Sequence, residues 1–164
     1  MRYSALILDL DGVVYVGPDA VPHAIDALNL TAEQGTRLFA ATNNANRPAT
    51  TVAAHLHDLG LRIAADDVVT SSWAAAEHLA RILPKAASVL AVGGVGVSDA
   101  LSAVGLLPVR ATSDLDASHA AMDDVSAVLI GYGPLVAWFD IAAAHFAIAR
   151  GVPWFATHTD ATVP

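Results

Sequence analysis

Short apolar runs of strand length alternate with longer helix-like stretches along the whole of this 164-residue chain. That alternation constrains the fold more than any other feature, because strand–helix repeats with apolar, two-sided strands give α/β domains with mainly parallel strands. The strand-like segments are Tyr3 to Asp9, "RLFAATNN", "DDVVTSS", "SVLAVGG", "LLPVRA", "VSAVLIGYG" and "VPWFATHTD". Tyr3 to Asp9 reads as a buried strand. The helix-like segments are "VPHAIDALNLTAEQG", "RPATTVAAHLHDLG", "WAAAEHLARIL", Val97 to Val104 and "PLVAWFDIAAAHFAIARG". Pro22 and Pro48 stand near helix starts, Gly35 and Gly60 at helix ends, and Pro84 stops the third helix. Ala111 to Asp124 is polar and acidic and reads as loop. The first βαβαβ unit is complete near Ser71 to Ala75, where a seam between domains is expected.

Composition narrows the function. The chain is 55% hydrophobic and 15% charged, enough apolar material for a real core and unlike a disordered tail. Its net charge of −8, with Lys85 as the only lysine, argues against binding nucleic acid. Cysteine is absent, which excludes disulfides, thiolate chemistry and Cys-based metal sites. The opening "MRYSALILDLDG" is not a signal peptide, since Asp9 breaks its apolar stretch, and no apolar run is long enough to cross a bilayer. A soluble cytoplasmic protein without a membrane partner is expected.

The first strand runs straight into two carboxylates, in "LILDLDGVVYVG". Carboxylates are expensive to bury, so their place at a strand end calls for a reason. In an open α/β sheet, ligands bind outside the carboxyl ends of the strands. Asp9 sits there, and Asp11 follows two residues on. Thr42, Asn43 and Asn44 stand at the end of the second strand. With the two strands as neighbours, all five residues face one crevice, and Gly12 lets the chain turn close to its occupant.

Such a set suits phosphoryl transfer. One carboxylate can attack phosphorus and form an aspartyl-phosphate, while a second protonates the leaving oxygen and then activates water. Carboxylates also bind Mg²⁺, which screens the repulsion between an acid and a phosphate dianion. The Thr42 hydroxyl can bond a phosphoryl oxygen, and backbone amides near Asn43 and Asn44 can cradle the others. The bland reading is that Asp-Gly is a common turn and a strand-end Asp a helix cap. A lone D-x-D is weak evidence; its weight comes from the apolar strand before it and the polar cluster after the next strand.

"LILDLDGVVYVG" followed by "FAATNNANRP" resembles the haloacid dehalogenase superfamily of phosphatases. The branch it looks like holds the NagD-like, 4-nitrophenylphosphatase-like and phosphoglycolate-phosphatase-like enzymes. "DDVVTSSWAAAEHL", "VLAVGGVGVSDAL" and "GVPWFATHTDATVP" are similar to the same branch, so the resemblance runs through the chain in order. It implies a Rossmann-like α/β core with an inserted α/β cap. Residues 1–72 would be the N-terminal part of the core and 73–164 the cap, incomplete, with the rest of the core absent. It implies Mg²⁺-dependent hydrolysis of a small phosphomonoester, a small phosphorylated metabolite, in the complete enzyme. Asp9 would be the nucleophile and a metal ligand. Asp11 would be the general acid/base and would also contribute to the metal site. Thr42 and Asn43 would bind phosphate, with Asn44 and Arg47 near the substrate. Val13 to Asp19 would be a mobile flap, and a homodimer through the cap is a known family arrangement.

The family also needs a Lys after the cap and a late G-D-x-x-x-D motif. Lys85, after a helix-ending Pro, reads as a surface lysine, Asp123 and Asp124 as loop acids, and Asp160 as the cap-region Asp of "ATHTDATVP". The 164 residues alone are therefore expected to be inactive, with one sheet edge left unpaired. In the cap, Gly133 of "GYGP" replaces an acid common in the family, Tyr132 is placed to pack on a substrate, and His158 replaces Asn. The alternatives are a catalytically incomplete fragment or non-catalytic binding module on the same fold, and a receiver-type phosphoacceptor domain. Receivers place adjacent acids on the first strand and the phosphoacceptor on the third. Here the acids alternate and the third strand ends in "VVTSS".

Three other features invite over-reading. Gly94 and Gly96 suggest a dinucleotide loop, but Asp99 stands at the third glycine position, and a tight strand-to-helix turn is the simpler reading. His55 and His57 are two apart on a helix and cannot share a metal; solvated or capping roles are expected for the histidines. Trp138, Phe139 and Phe146 read as core or interface residues.

Overall fold

The computed structural model describes residues 3–114 and 122–159. Asp160 and the middle of the acidic Ala111 to Asp124 segment lie outside them. The fold is α/β with parallel sheets, in two compact units. The first comprises the chain up to Thr42 together with Ala49–Thr70. The second comprises Asn43–Pro48 together with the chain from Ser71 onward.

The first unit holds a three-stranded parallel sheet. Its strands are β1 (Ala5–Leu8), β4 (Arg37–Thr42) and β5 (Val68–Thr70), in the order β1-β4-β5. A hairpin of two-residue strands, β2 (Tyr15–Val16) and β3 (Asp19–Ala20), lies between β1 and helix α1 (Ala24–Glu33). Helix α2 (Ala49–Asp58) follows β4, and a short 3₁₀ turn (Ala65–Asp67) leads into β5. Val52 and Leu56, one helical turn apart, are buried against Leu10, Leu38, Ala40 and Val68, with Ile25 and Leu28 of α1 packed on the same cluster. Strand side chains alternate between faces. Leu6 and Leu8 therefore turn toward this cluster, while Ile7 faces the other way and is 77% exposed. The expected buried strand is only half so. β1 pairs with β4 alone among the described residues, and the face carrying Ile7, Phe39 and Val69 stays open to solvent to differing degrees.

The second unit is doubly wound. Its four strands β6 (Ser88–Val92), β7 (Leu107–Val109), β8 (Val125–Ile130) and β9 (Trp154–Ala156) run parallel in the order β7-β6-β8-β9. Helices α3 (Ser71–Ile82) and α4 (Val95–Ala103) pack Ala76, Leu79, Val97 and Leu101 against Val89, Ala91, Ala127 and Leu129. Helix α5 (Trp138–Ala149) covers the opposite face with Ala143, Ala144 and Ala147 against Leu90, Val92 and Val128. Those alanines recur at helical spacing and let the helix approach the sheet closely. The last helix starts four residues later than its sequence suggests, because Gly133 to Val136 closes a turn and Asp140 caps the backbone amide of Ala137. Ser71 and Ser72, expected in the third strand, open α3 instead. Phe139 and Phe146 join the core on this face, whereas Trp138 is 78% exposed.

Candidate active site

β1 ends at Leu8, and the next four residues form a tight turn. The Leu10 carbonyl accepts the amides of Val13, Val14 and Tyr15, and the Gly12 amide donates to the Tyr15 carbonyl at 2.8 Å. Gly12 holds φ at +81°, a left-handed conformation that glycine adopts without a side-chain clash. Leu10, Val14 and Tyr15 are buried in the first unit's core. Leu10 thus pins the turn, while its neighbours Asp9 and Asp11 stay at the surface, exposed and half-buried respectively. Apolar anchoring of the intervening residue is what holds two carboxylates at the end of an apolar strand.

β1 and β4 are neighbours, with Leu8 opposite Ala40. Thr42, at the carboxyl end of β4, is therefore brought to the acids. Its Oγ1 lies 3.4 Å from Asp11 Oδ2, and Thr42 itself is only 6% exposed. Asp9 Oδ1 accepts the amide of Leu10 at 2.9 Å. The Asp11 carboxylate and the Thr42 hydroxyl thus meet, with Asp9 directly after β1, at the carboxyl end of a parallel sheet, where α/β folds bind ligands. The other three expected site residues, Asn43, Asn44 and Arg47, belong to the second unit. There Asn43 accepts Ser71 Oγ on its carbonyl at 2.7 Å, and Asn44 Oδ1 accepts the Asn46 amide at 2.9 Å.

The donor set of Asp9 and Asp11 is all oxygen, which suits a hard cation such as Mg²⁺. Among the described residues, no group of three or more His, Asp or Glu is placed to hold a metal. Asp123, one of the loop acids, is ion-paired with Arg150, and Lys85 is exposed. His55 is half-buried: its ring meets Tyr15 edge-on at 4.8 Å, and its Nε2 is buried without a partner among the described residues. The amides that a dinucleotide would need at Gly94 and Gly96 are spent on the carbonyls of Tyr132 and Asn46. The β2–β3 hairpin overlaps Val13 to Asp19 and ends at Ala20; its two-residue strands carry no sequence signal, and "GP" marks its turn.

Residues 6–107 match the family model of the haloacid dehalogenase-like hydrolases, and the chain belongs to that family. It is 38% identical over 163 residues to a D-glycerol 3-phosphate phosphatase of Mycobacterium tuberculosis, covering 99% of this chain and 43% of the relative. An acid sugar phosphatase of Staphylococcus saprophyticus is 30% identical over 165 residues, covering 99% of this chain and 58% of that protein. The crystal structure of a Mycobacterium tuberculosis glycerol phosphate phosphatase in complex with magnesium superposes with a TM-score of 0.87 at 37% identity, covering 99% of this chain and 46% of that one. The chain thus spans about half the length of these relatives.

Proposed function

We propose that this chain supplies the nucleophile-bearing part of a phosphomonoester hydrolase. The observation that carries the reading is the meeting of Asp11 and Thr42, with Asp9 directly after β1, at the carboxyl end of adjacent parallel strands. Asp9 attacks phosphorus, forming an aspartyl-phosphate as the alkoxide leaves. Asp11 protonates that leaving oxygen and then takes a proton from the water that cleaves the acyl phosphate. Thr42 holds a phosphoryl oxygen, and Asn43, with Asn44 and Arg47, completes the phosphate and substrate contacts. Asp9 and Asp11 would hold Mg²⁺, whose charge offsets the repulsion between carboxylate and phosphate. Residues 1–72 serve as the N-terminal part of the catalytic core and 73–164 as the cap. The relatives' names favour a small phosphorylated polyol or sugar as substrate. The absent cysteine favours a cytoplasmic setting, and pairing through the cap is the proposed oligomeric arrangement.

The test is phosphatase activity of the polypeptide expressed from its native gene, with and without Asp9→Asn. Loss of turnover with unchanged circular dichroism is expected. Near-normal hydrolysis by Asp9→Asn would remove the nucleophile assignment.

A further inference from the structure

In the second unit the chain passes from β6 outward to β7 and then returns to the other side of β6 as β8. The carboxyl ends of β6 and β8 therefore flank a topological switch point, the place where doubly wound sheets bind ligands. Here the chain fills that place with its own residues. Ala45 is fully buried in the same core cluster as Val97, Ala127 and Leu129. The Gly96 amide donates to the Asn46 carbonyl at 2.9 Å, and the Gly94 amide donates to Tyr132 at 3.1 Å. Arg110 braces the turn, donating from Nη2 to the Gly93 carbonyl at 3.1 Å and from Nη1 to Ser98 Oγ at 3.3 Å.

Glycine makes the room. A Cβ on Gly94 would lie 1.9 Å from Asn46 Oδ1 and 2.9 Å from its Cα. A Cβ on Gly96 would lie 2.6 Å from the Ala45 carbonyl oxygen, and one on Gly131 would lie 2.9 Å from Ala45 Cβ. The ordinary explanation for such glycines is a backbone turn. It accounts for Gly93, whose φ is +149°, but Gly94, Gly96 and Gly131 have no positive φ. Gly96 even sits inside α4, where glycine is less favourable than alanine. What these three positions require is space; Ala45, Asn46 and Arg47 take it at Gly94 and Gly96, and Ala45 shares it with Val97 and Thr157 at Gly131.

We propose that Gly94, Gly96 and Gly131 are positioning residues, a seat that fixes the backbone of residues 43–47 directly after Thr42. The proposal rests on the phosphatase reading, because the seated segment carries Asn43, Asn44 and Arg47. The glycines touch no substrate and act only through that segment.

The experiment uses the polypeptide expressed from its native gene, as wild type, Gly94→Ala, Asn46→Gly and the double variant. Amide hydrogen exchange is followed over residues 43–48, and kcat and KM are measured on glycerol 3-phosphate. Gly94→Ala is expected to speed exchange in the segment by roughly tenfold to a hundredfold, the scale of an overpacked site. It should lower kcat/KM in parallel and leave α5 exchange unchanged. Adding Asn46→Gly removes Oδ1 and Cγ from the clash but leaves the Cα at 2.9 Å, so it should restore part of both. Should Gly94→Ala fail to fold, Ala45→Gly empties the seat instead of crowding it and should loosen the same segment. Unchanged exchange in 43–48 would overturn the seat. Faster exchange with unaltered kcat/KM would overturn the positioning role and leave the phosphatase reading standing. So would a loss that spreads through α5 and is not relieved by Asn46→Gly, because that is plain destabilisation. A wild-type polypeptide that hydrolyses no phosphomonoester would sink the functional reading alone, and the exchange pattern would still decide the seat.

Discussion

Ile7 and Leu38 are both apolar strand residues of the first sheet, yet substitution should affect them very differently. Ile7 is 77% exposed, so less than a quarter of its surface is at stake. Full burial of such a side chain contributes about 1.5–3 kcal/mol, which leaves roughly 0.5 kcal/mol here. Ile7→Thr keeps the β-branch that suits a strand and adds a hydroxyl that solvent can reach. Leu38 is 9% exposed, stands opposite Leu6 in the sheet register, and packs in the cluster of Val52 and Leu56. Leu38→Ala should cost about 2–5 kcal/mol through lost transfer energy and the cavity left behind. Urea unfolding of the 164-residue chain, followed by far-ultraviolet circular dichroism, reads the difference. With a slope of about 1–3 kcal/mol per molar, Ile7→Thr should move the midpoint by at most about 0.5 M, and Leu38→Ala by about 0.7 M or more, at least fourfold further at any one slope. Equal shifts would refute the reasoning, because they would mean that the Ile7 face is covered in solution. The residue after Ile7 adds an internal check. Leu8 turns toward the core, so Leu8→Ala should fall between the two.

Further outcomes follow from three single groups and from the metal. Asp140 is 3% exposed and accepts the Ala137 amide at 2.8 Å, so Asp140→Ala should destabilise the second unit by about 0.5–2 kcal/mol. Tryptophan fluorescence reads this directly, since Trp73, Trp138 and Trp154 all lie in that unit; an unmoved midpoint would discount the cap. Thr157 Oγ1 is buried with no partner among the described residues. Thr157→Val should therefore be neutral or stabilising by about 1 kcal/mol, and a clear loss on the same titration would reveal a bond there. Asp11→Asn should cut kcat by about 10²–10⁴-fold, and chelation of Mg²⁺ should stop hydrolysis. A rate indifferent to the chelator would remove the metal from the mechanism.

Much of the first site could be read along the chain because its parts are local. The apolar run Leu6 to Leu8, the acids Asp9 and Asp11 and the turn at Gly12 lie within seven residues. Strand length and turn chemistry act over that range. The two-residue strands of the hairpin leave no sign in the sequence, because a run so short carries no period. The ring contact of His55 with Tyr15 has no sign along the chain, because Tyr15 is brought in from another element.

The sequence by itself determined the α/β class, the order of the elements and the identity of the acids at the end of the first strand. Periodicity, helix stops and an interrupted apolar run are properties of neighbouring residues. Only the tertiary structure decided that β1 would bury one face and expose the other. Only it decided that Asn43–Pro48, bounded on both sides by the first unit, would pack in the second. It also decided that the strand-to-helix turn at Gly94 and Gly96 packs against Asn46 and its neighbours. Those outcomes depend on which distant backbone comes within van der Waals reach. A glycine whose φ any residue could adopt gives no local sign of the chain that packs against it.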